Sequence, residues 1–79
     1  MDKFYEDEIK PGLKINWQFE LKEILERDEH AMLIKVIDKT LSDKEAYAIL
    51  TRSGKDWVCS AFTSYTREKV EKEYAKLRR

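Results

Sequence analysis

The stretch Glu45–Phe62, EAYAILTRSGKDWVCSAF, decides the fold class because it contains two alternating runs separated by a glycine turn. Glu45–Thr51 and Asp56–Phe62 both alternate with the period of two residues that is typical of strands. Between them lies Ser53-Gly54-Lys55, in which Gly54 is free to adopt the positive φ of a tight hairpin turn. These residues predict two adjacent antiparallel strands. In the first run the predicted faces are Tyr47 with Ile49, and Ala46 with Ala48 and Leu50.

Two further strands are predicted upstream of this hairpin. Met32–Ile37 is β-branched and apolar on both faces apart from Lys35, which is typical of a central strand. Eight consecutive residues from Ile15 also alternate, and they predict the first strand. Its apolar face would be Ile15, Trp17, Phe19 and Leu21. The apolar spacing changes to three residues between Leu21 and Ile24, which predicts a bulge or a bend there.

A helix is the alternative for residues 20–28. The segment is rich in good helix formers, and one stripe of a helix would hold Trp17, Leu21, Ile24 and Leu25. In that helix, however, Ile15 and Phe19 would point to the opposite side, into water. The alternation therefore favours a strand.

The C-terminal segment predicts a helix over Thr66–Leu77. Thr66 offers a hydroxyl at its start, and Glu68 would lie in the first turn, where the helix dipole favours a carboxylate. Its apolar stripe is narrow, and consists of Val70, Tyr74 and Leu77.

These elements predict an α+β fold, a four-stranded antiparallel meander with one C-terminal helix. If the sheet bends between Leu21 and Ile24, it curls into a small, partly open barrel. A length of 79 residues allows one small domain. We divide residues 1–79 into an acidic lead (1–12), an antiparallel sheet (13–62) and a helical segment (63–79), with Pro11-Gly12 as the first chain breaker.

Two segments near the ends resemble the short SH3-like barrel proteins that phages and mobile elements often encode. They are Ile9-Lys10-Pro11-Gly12-Leu13-Lys14-Ile15 and Tyr65-Thr66-Arg67-Glu68-Lys69-Val70-Glu71-Lys72-Glu73-Tyr74. The resemblance implies a small binding or regulatory module.

Composition narrows the function classes. Sixteen Lys and Arg residues balance sixteen Asp and Glu residues, so no net field favours nucleic acid or an anionic membrane. A single cysteine, Cys59, suits a reducing compartment, and the acidic start is unlike a secretory signal peptide. No apolar run approaches the roughly 18 residues of a membrane span. We expect a cytoplasmic protein without a membrane partner.

Residues with catalytic or metal-binding potential are few. His30 is the only histidine, and it lies beside Asp28 and Glu29 in a polar segment that predicts a solvated turn. Cys59 lies in a predicted strand and is expected to behave as a small buried hydrophobic residue. The chain has no glycine-rich phosphate loop and no nucleophile motif. We therefore expect no enzyme, no metal site and no cofactor.

The charge is unevenly distributed. Residues 1–40 hold seven basic against ten acidic residues, giving −3, whereas residues 41–79 hold nine against six, giving +3. A basic helix beside an aromatic sheet would suit nucleic acid, but interspersed glutamates are typical of a solvated helix. The residues of this nucleic-acid alternative are Arg67, Lys69, Lys72, Lys76, Arg78 and Arg79.

The strand aromatics point to a different partner. One narrow helix covers only part of one sheet face, so we expect aromatic surface to remain exposed and to bind another protein or a second copy of the chain. The candidate partner-binding residues are Trp17, Tyr47 and Trp57. The sequence thus favours a small non-enzymatic protein-interaction module, such as a phage-type regulator or inhibitor that masks a partner surface. Nucleic-acid binding is the alternative.

Overall fold

The structure, a computed structural model, describes residues 3–77, apart from the side chain of Ala61. Its elements are strand β1 (Lys3–Tyr5), a 3₁₀ turn (Glu6–Glu8), strands β2 (Phe19–Arg27), β3 (Ala31–Asp38), β4 (Lys44–Ser53) and β5 (Asp56–Ser64), and helix α1 (Arg67–Leu77). The strands form one antiparallel sheet, in the order β1-β5-β4-β3-β2, that curls into a half-barrel. The predicted α+β class and C-terminal helix are confirmed, whereas the count of four strands is wrong.

The additional strand lies in the segment that we predicted as an acidic lead. In β1, Phe4 pairs with Trp57 of β5, and its side chain is buried. A second short pairing joins residues 12–15 to the start of β2, where Lys14 is opposite Glu20. The carboxylates of this region therefore surround apolar residues that belong to the core.

The hairpin of β4 and β5 forms as predicted. Ser53 pairs with Asp56, and Gly54 occupies the first loop position with a φ of 65°. Strand β3 is central and almost entirely buried, as its apolar run predicted.

Strand β2 is a strand and not a helix, which agrees with the favoured alternative. The predicted irregularity between Leu21 and Ile24 is confirmed, because the register with β3 shifts between Leu21 and Glu23. A second shift lies between Ile24 and Glu26. These bulges curve an edge strand and obstruct pairing with another sheet.

Both faces of the sheet are covered, which corrects the expectation of an exposed aromatic face. The helix covers one face with Val70 and Tyr74, which pack against a cluster that includes Leu33 and Ile49. Leu77, the third residue of the predicted stripe, is 42 % exposed. The N-terminal segment covers the other face with the apolar side chains of Phe4, Ile9, Leu13 and Ile15.

Candidate interaction site at the Trp17 turn

Trp17 lies at the tip of a hairpin and not within a strand. The Ile15 N–H donates to the Phe19 carbonyl at 2.9 Å, so the chain reverses over the three residues Asn16–Gln18. The predicted continuous strand from Ile15 is therefore wrong in its first four residues. We call residues 16–18 the Trp17 turn.

The side chain of Asn16 explains this reversal. Its Oδ1 accepts hydrogen bonds from the backbone N–H groups of Gln18 and Phe19, each at 2.8 Å. An asparagine side chain that bonds the backbone two residues ahead mimics a backbone turn and competes with strand pairing. Trp17 is consequently carried outward, and its side chain is 82 % exposed.

A buried carboxylate attaches the Trp17 turn to the sheet. The Gln18 side-chain amide donates to Asp38 Oδ2 at 2.8 Å, and the Lys39 N–H donates to the Gln18 carbonyl at 2.7 Å. Asp38 is fully buried at the end of β3, where it also accepts from the N–H and hydroxyl of Thr40 and from the Tyr65 hydroxyl. Three separate segments of the chain thus meet at one carboxylate.

The electrostatics of Asp38 keep this carboxylate ionised. Burial by itself would raise its pKa, but the hydrogen bonds from Thr40, Tyr65 and Gln18 outweigh burial and hold the pKa well below its usual range. The bond to Asp38, together with burial, raises the pKa of Tyr65. The carboxylate therefore remains a pure acceptor near neutral pH, and it holds the Trp17 turn in one position.

The surroundings of Trp17 form a small pocket of about 270 Å³. Phe19 contributes apolar surface to the pocket, and its charged residues are Lys14, Lys39 and Glu20. The Lys39 ammonium pairs with Asp43 at 3.0 Å. Within residues 3–77, Lys14 forms no ion pair. The tip thus combines one exposed indole with the charge of Lys14, since Asp43 offsets that of Lys39.

The other two candidate partner-binding residues lie elsewhere. Tyr47 is half-buried and packs against the cluster under the helix. Trp57 is only 1 % exposed; its indole N–H donates to Glu6 at 3.2 Å, and the guanidinium groups of Arg27 and Arg52 lie 5.9 Å from its ring centroid. Trp57 is a core residue in this structure, and it offers no surface to a partner.

The candidate nucleic-acid residues lie on the helix, on the opposite face of the sheet from Trp57. Arg67 pairs with Glu71 at 3.0 Å and Lys76 with Glu73 at 3.3 Å. Lys69 and Lys72 are exposed. Arg78 and Arg79 lie outside the described residues. The fold does not bring the basic side chains and Trp57 to one surface.

The two residues with catalytic or metal-binding potential, His30 and Cys59, have ordinary surroundings. His30 is exposed in the turn between β2 and β3, where its N–H donates to Asp28 at 3.1 Å. Cys59 is half-buried against the core, and burial raises the pKa of its thiol. Within residues 3–77, no group of three or more His, Cys, Asp or Glu side chains is placed to hold a metal ion.

Comparison of the chain with protein-family models, with curated proteins and with solved structures finds no match. In the part of the chain that the structure describes, no helix has the length and apolar character needed to cross a membrane. The function must be inferred from the geometry of the chain itself.

Sequence reasoning selected Trp17 for a surface role but placed it in a strand, and it missed Asn16, Gln18 and Asp38. Asparagine favours turns because its side chain bonds the backbone two residues ahead, and this signal was available at Asn16. Only one donor to Asp38, Thr40, is local, and the other two come from positions 20 residues before it and 27 residues after it.

Proposed function

We propose that this protein is a small non-enzymatic protein-interaction module whose anchor is Trp17. The observation that carries the proposal is a tryptophan that is 82 % exposed on a turn held by Asn16 and Asp38. Tryptophan is among the residues enriched in binding hot spots, and truncation of a hot-spot residue costs at least about 2 kcal/mol of binding free energy.

Preorganisation supports this assignment. An ordered loop loses little conformational entropy when it binds, so more of its contact energy appears as affinity. The Trp17 turn is connected at both ends: Asn16 bonds within the turn, and Gln18 bonds to Asp38 and Lys39. The backbone that carries the indole is therefore ordered before a partner arrives.

The mode of action that we propose is to mask a partner surface, as a regulator or inhibitor does. The described residues are largely engaged in the sheet, its N-terminal cover and one helix, so binding must use the outer surface of the fold. The resemblance to short SH3-like barrel proteins of phages and mobile elements favours the same role.

The test is affinity capture from the source cells with the wild-type chain and the Trp17→Ala variant, at low and at moderate salt. We expect a complex that resists moderate salt and that the Trp17→Ala variant loses. Leu77→Ala is the matched control, because Leu77 is an exposed apolar residue on the helix. A protein that remains monomeric and captures nothing would contradict the proposal. So would a complex that forms equally well with the Trp17→Ala variant.

Nucleic-acid binding through the helix is the alternative proposal. It is supported by the exposure of Lys69 and Lys72, which form no ion pair among the described residues. Such binding would weaken steeply with salt, because it releases condensed counterions. A titration with a labelled oligonucleotide tests this alternative. The double variant Lys72→Glu/Lys76→Glu should abolish binding, and unchanged binding would exclude the helix as the nucleic-acid-binding surface.

A further inference from the structure

We propose that the partner of the Trp17 turn is a second copy of this chain, in a two-fold contact that places Trp17 of each copy in a pocket at the base of the other copy's hairpin. The inference rests on the proposed function, since it names the partner of the same turn. The pocket has a volume of about 480 Å³. Its lining residues are Asp7, Glu8, Lys10, Pro11, Gly12 and Leu13.

The base pocket is formed by a turn at the foot of the hairpin. The Leu13 N–H donates to the Lys10 carbonyl at 3.1 Å, with Pro11 and Gly12 as the two central residues. Gly12 has a φ of 101°, which suits the third position of a type II turn. Pro11 and Leu13 thereby supply apolar surface beneath the carboxylates of the pocket.

Charge supports a match between the tip and the base pocket. Beside Trp17 lies the ammonium group of Lys14, whereas two carboxylates, those of Asp7 and Glu8, and one lysine line the base pocket. Asp7 is exposed and forms no ion pair within residues 3–77. A buried indole N–H requires an acceptor, and the Asp7 carboxylate of the second copy provides one.

Position supports a symmetric contact. Gly12 is bonded to Leu21 at the foot of the hairpin, and Trp17 lies at the tip, about 16 Å away at roughly 3.3 Å per residue. The two complementary features therefore belong to one hairpin of each copy. A two-fold axis between two such hairpins aligns each tip with the opposite base, as an isologous interface requires.

The size of the contact predicts its strength. Each buried tryptophan contributes about 150–250 Å² of contact surface, so two reciprocal contacts with their surroundings fall in the class of small interfaces. We expect a reversible dimer with a dissociation constant of about 10 µM to 1 mM, which sedimentation equilibrium measures directly. Truncation of Trp17 removes both anchors of the symmetric dimer, so it should raise the dissociation constant at least about 900-fold, which is about 30-fold for each anchor.

The decisive experiment mixes two variants. Trp17→Ala removes the anchor and Asp7→Arg blocks the pocket, so we expect each variant alone to be monomeric. Their mixture retains one intact contact, between Trp17 of the Asp7→Arg chain and the pocket of the Trp17→Ala chain, so its dissociation constant should lie about 30-fold above that of the wild type and below that of either variant alone. Leu77→Ala and Glu29→Arg, which change exposed residues outside the hairpin, should dimerise like the wild type.

Two results would overturn the inference. A mixture that associates no more tightly than either variant alone, while the wild type dimerises, would indicate another mode, such as stacking of Trp17 on Trp17. A wild-type chain that is monomeric throughout would exclude the second copy as the partner. In that case, capture of a different protein that depends on Trp17 would still support the proposed function. A chain that neither dimerises nor captures a partner through Trp17 would contradict both the inference and the proposed function.

Discussion

The side-chain amide of Gln18 donates to the buried carboxylate of Asp38 across 2.8 Å, and this bond joins the Trp17 turn to the end of the central strand β3. The turn would otherwise be a projecting three-residue loop. Because the same carboxylate accepts from Thr40 and Tyr65, the position of the candidate anchor depends on three segments that are distant in sequence.

Replacement of Asp38 should destabilise the fold in a pH-dependent manner. The folded-state pKa of Asp38 lies below its unfolded value of about 3.9, so its stabilising contribution is complete above that pH and is lost as the pH falls below it. Asp38→Asn should therefore lower the free energy of unfolding at pH 7, and the difference from wild type should shrink towards pH 3. Urea unfolding across this range measures both effects. Tyr65→Phe, which removes one donor, should lower the free energy of unfolding by less than Asp38→Asn. A difference for Asp38→Asn that does not change with pH would contradict a stabilising role of the ionised carboxylate.

Asn16→Ala should loosen the Trp17 turn. The substitution removes the acceptor of two backbone N–H groups, and we expect a loss of about 1 kcal/mol of stability. Hydrogen exchange at the amides of Gln18 and Phe19 should become faster. Asn16→Asp retains the oxygen acceptor and serves as the control; equal exchange in both variants would show that the side chain does not hold the turn.

The two tryptophans should respond in opposite ways to truncation. Trp17→Ala should change the free energy of unfolding of the monomer by less than about 0.5 kcal/mol, because the side chain is exposed. Trp57→Ala should cost about 3–5 kcal/mol, because it empties a core site. Urea unfolding followed by circular dichroism measures both, at concentrations where the chain is monomeric. Similar costs at the two positions would refute their placement.

Gly12→Ala should destabilise the base turn without any steric clash. The backbone φ of 101° disfavours an L-residue, while an added Cβ would meet no atom within 4 Å. We expect a loss of about 1–2 kcal/mol from backbone strain alone. Gly12→Asn should cost less, because asparagine tolerates positive φ better. Thermal or urea unfolding tests this ranking of stabilities. A Gly12→Ala variant as stable as the wild type would disprove it.

Local pattern was sufficient where neighbours in sequence are also neighbours in the sheet. The hairpin around Gly54 formed with the predicted faces: Ile49 packs towards the helix, and Leu50 lies on the opposite face. Strand β3 and the helix were likewise predictable, because a long apolar run and an amphipathic segment with a carboxylate in its first turn are strong signals.

The candidate site was less predictable, because its sequence carries signals for both a strand and a turn. The alternation through Trp17 indicated a strand, yet one asparagine side chain was enough to reverse the chain at Asn16. Phe4 lies in a short, mostly charged segment, so its burial with Trp57 left no periodic trace in the sequence.

The sequence by itself determined the α+β class, the central hairpin and the C-terminal helix, because hydrophobic periodicity and turn chemistry act between nearby residues. Only the tertiary structure decided which tryptophan is available to a partner. The N-terminal segment covers the sheet face that contains Trp57, and the buried Asp38 holds the turn that exposes Trp17. Both outcomes depend on contacts between residues far apart in the chain, which alternation and composition do not record.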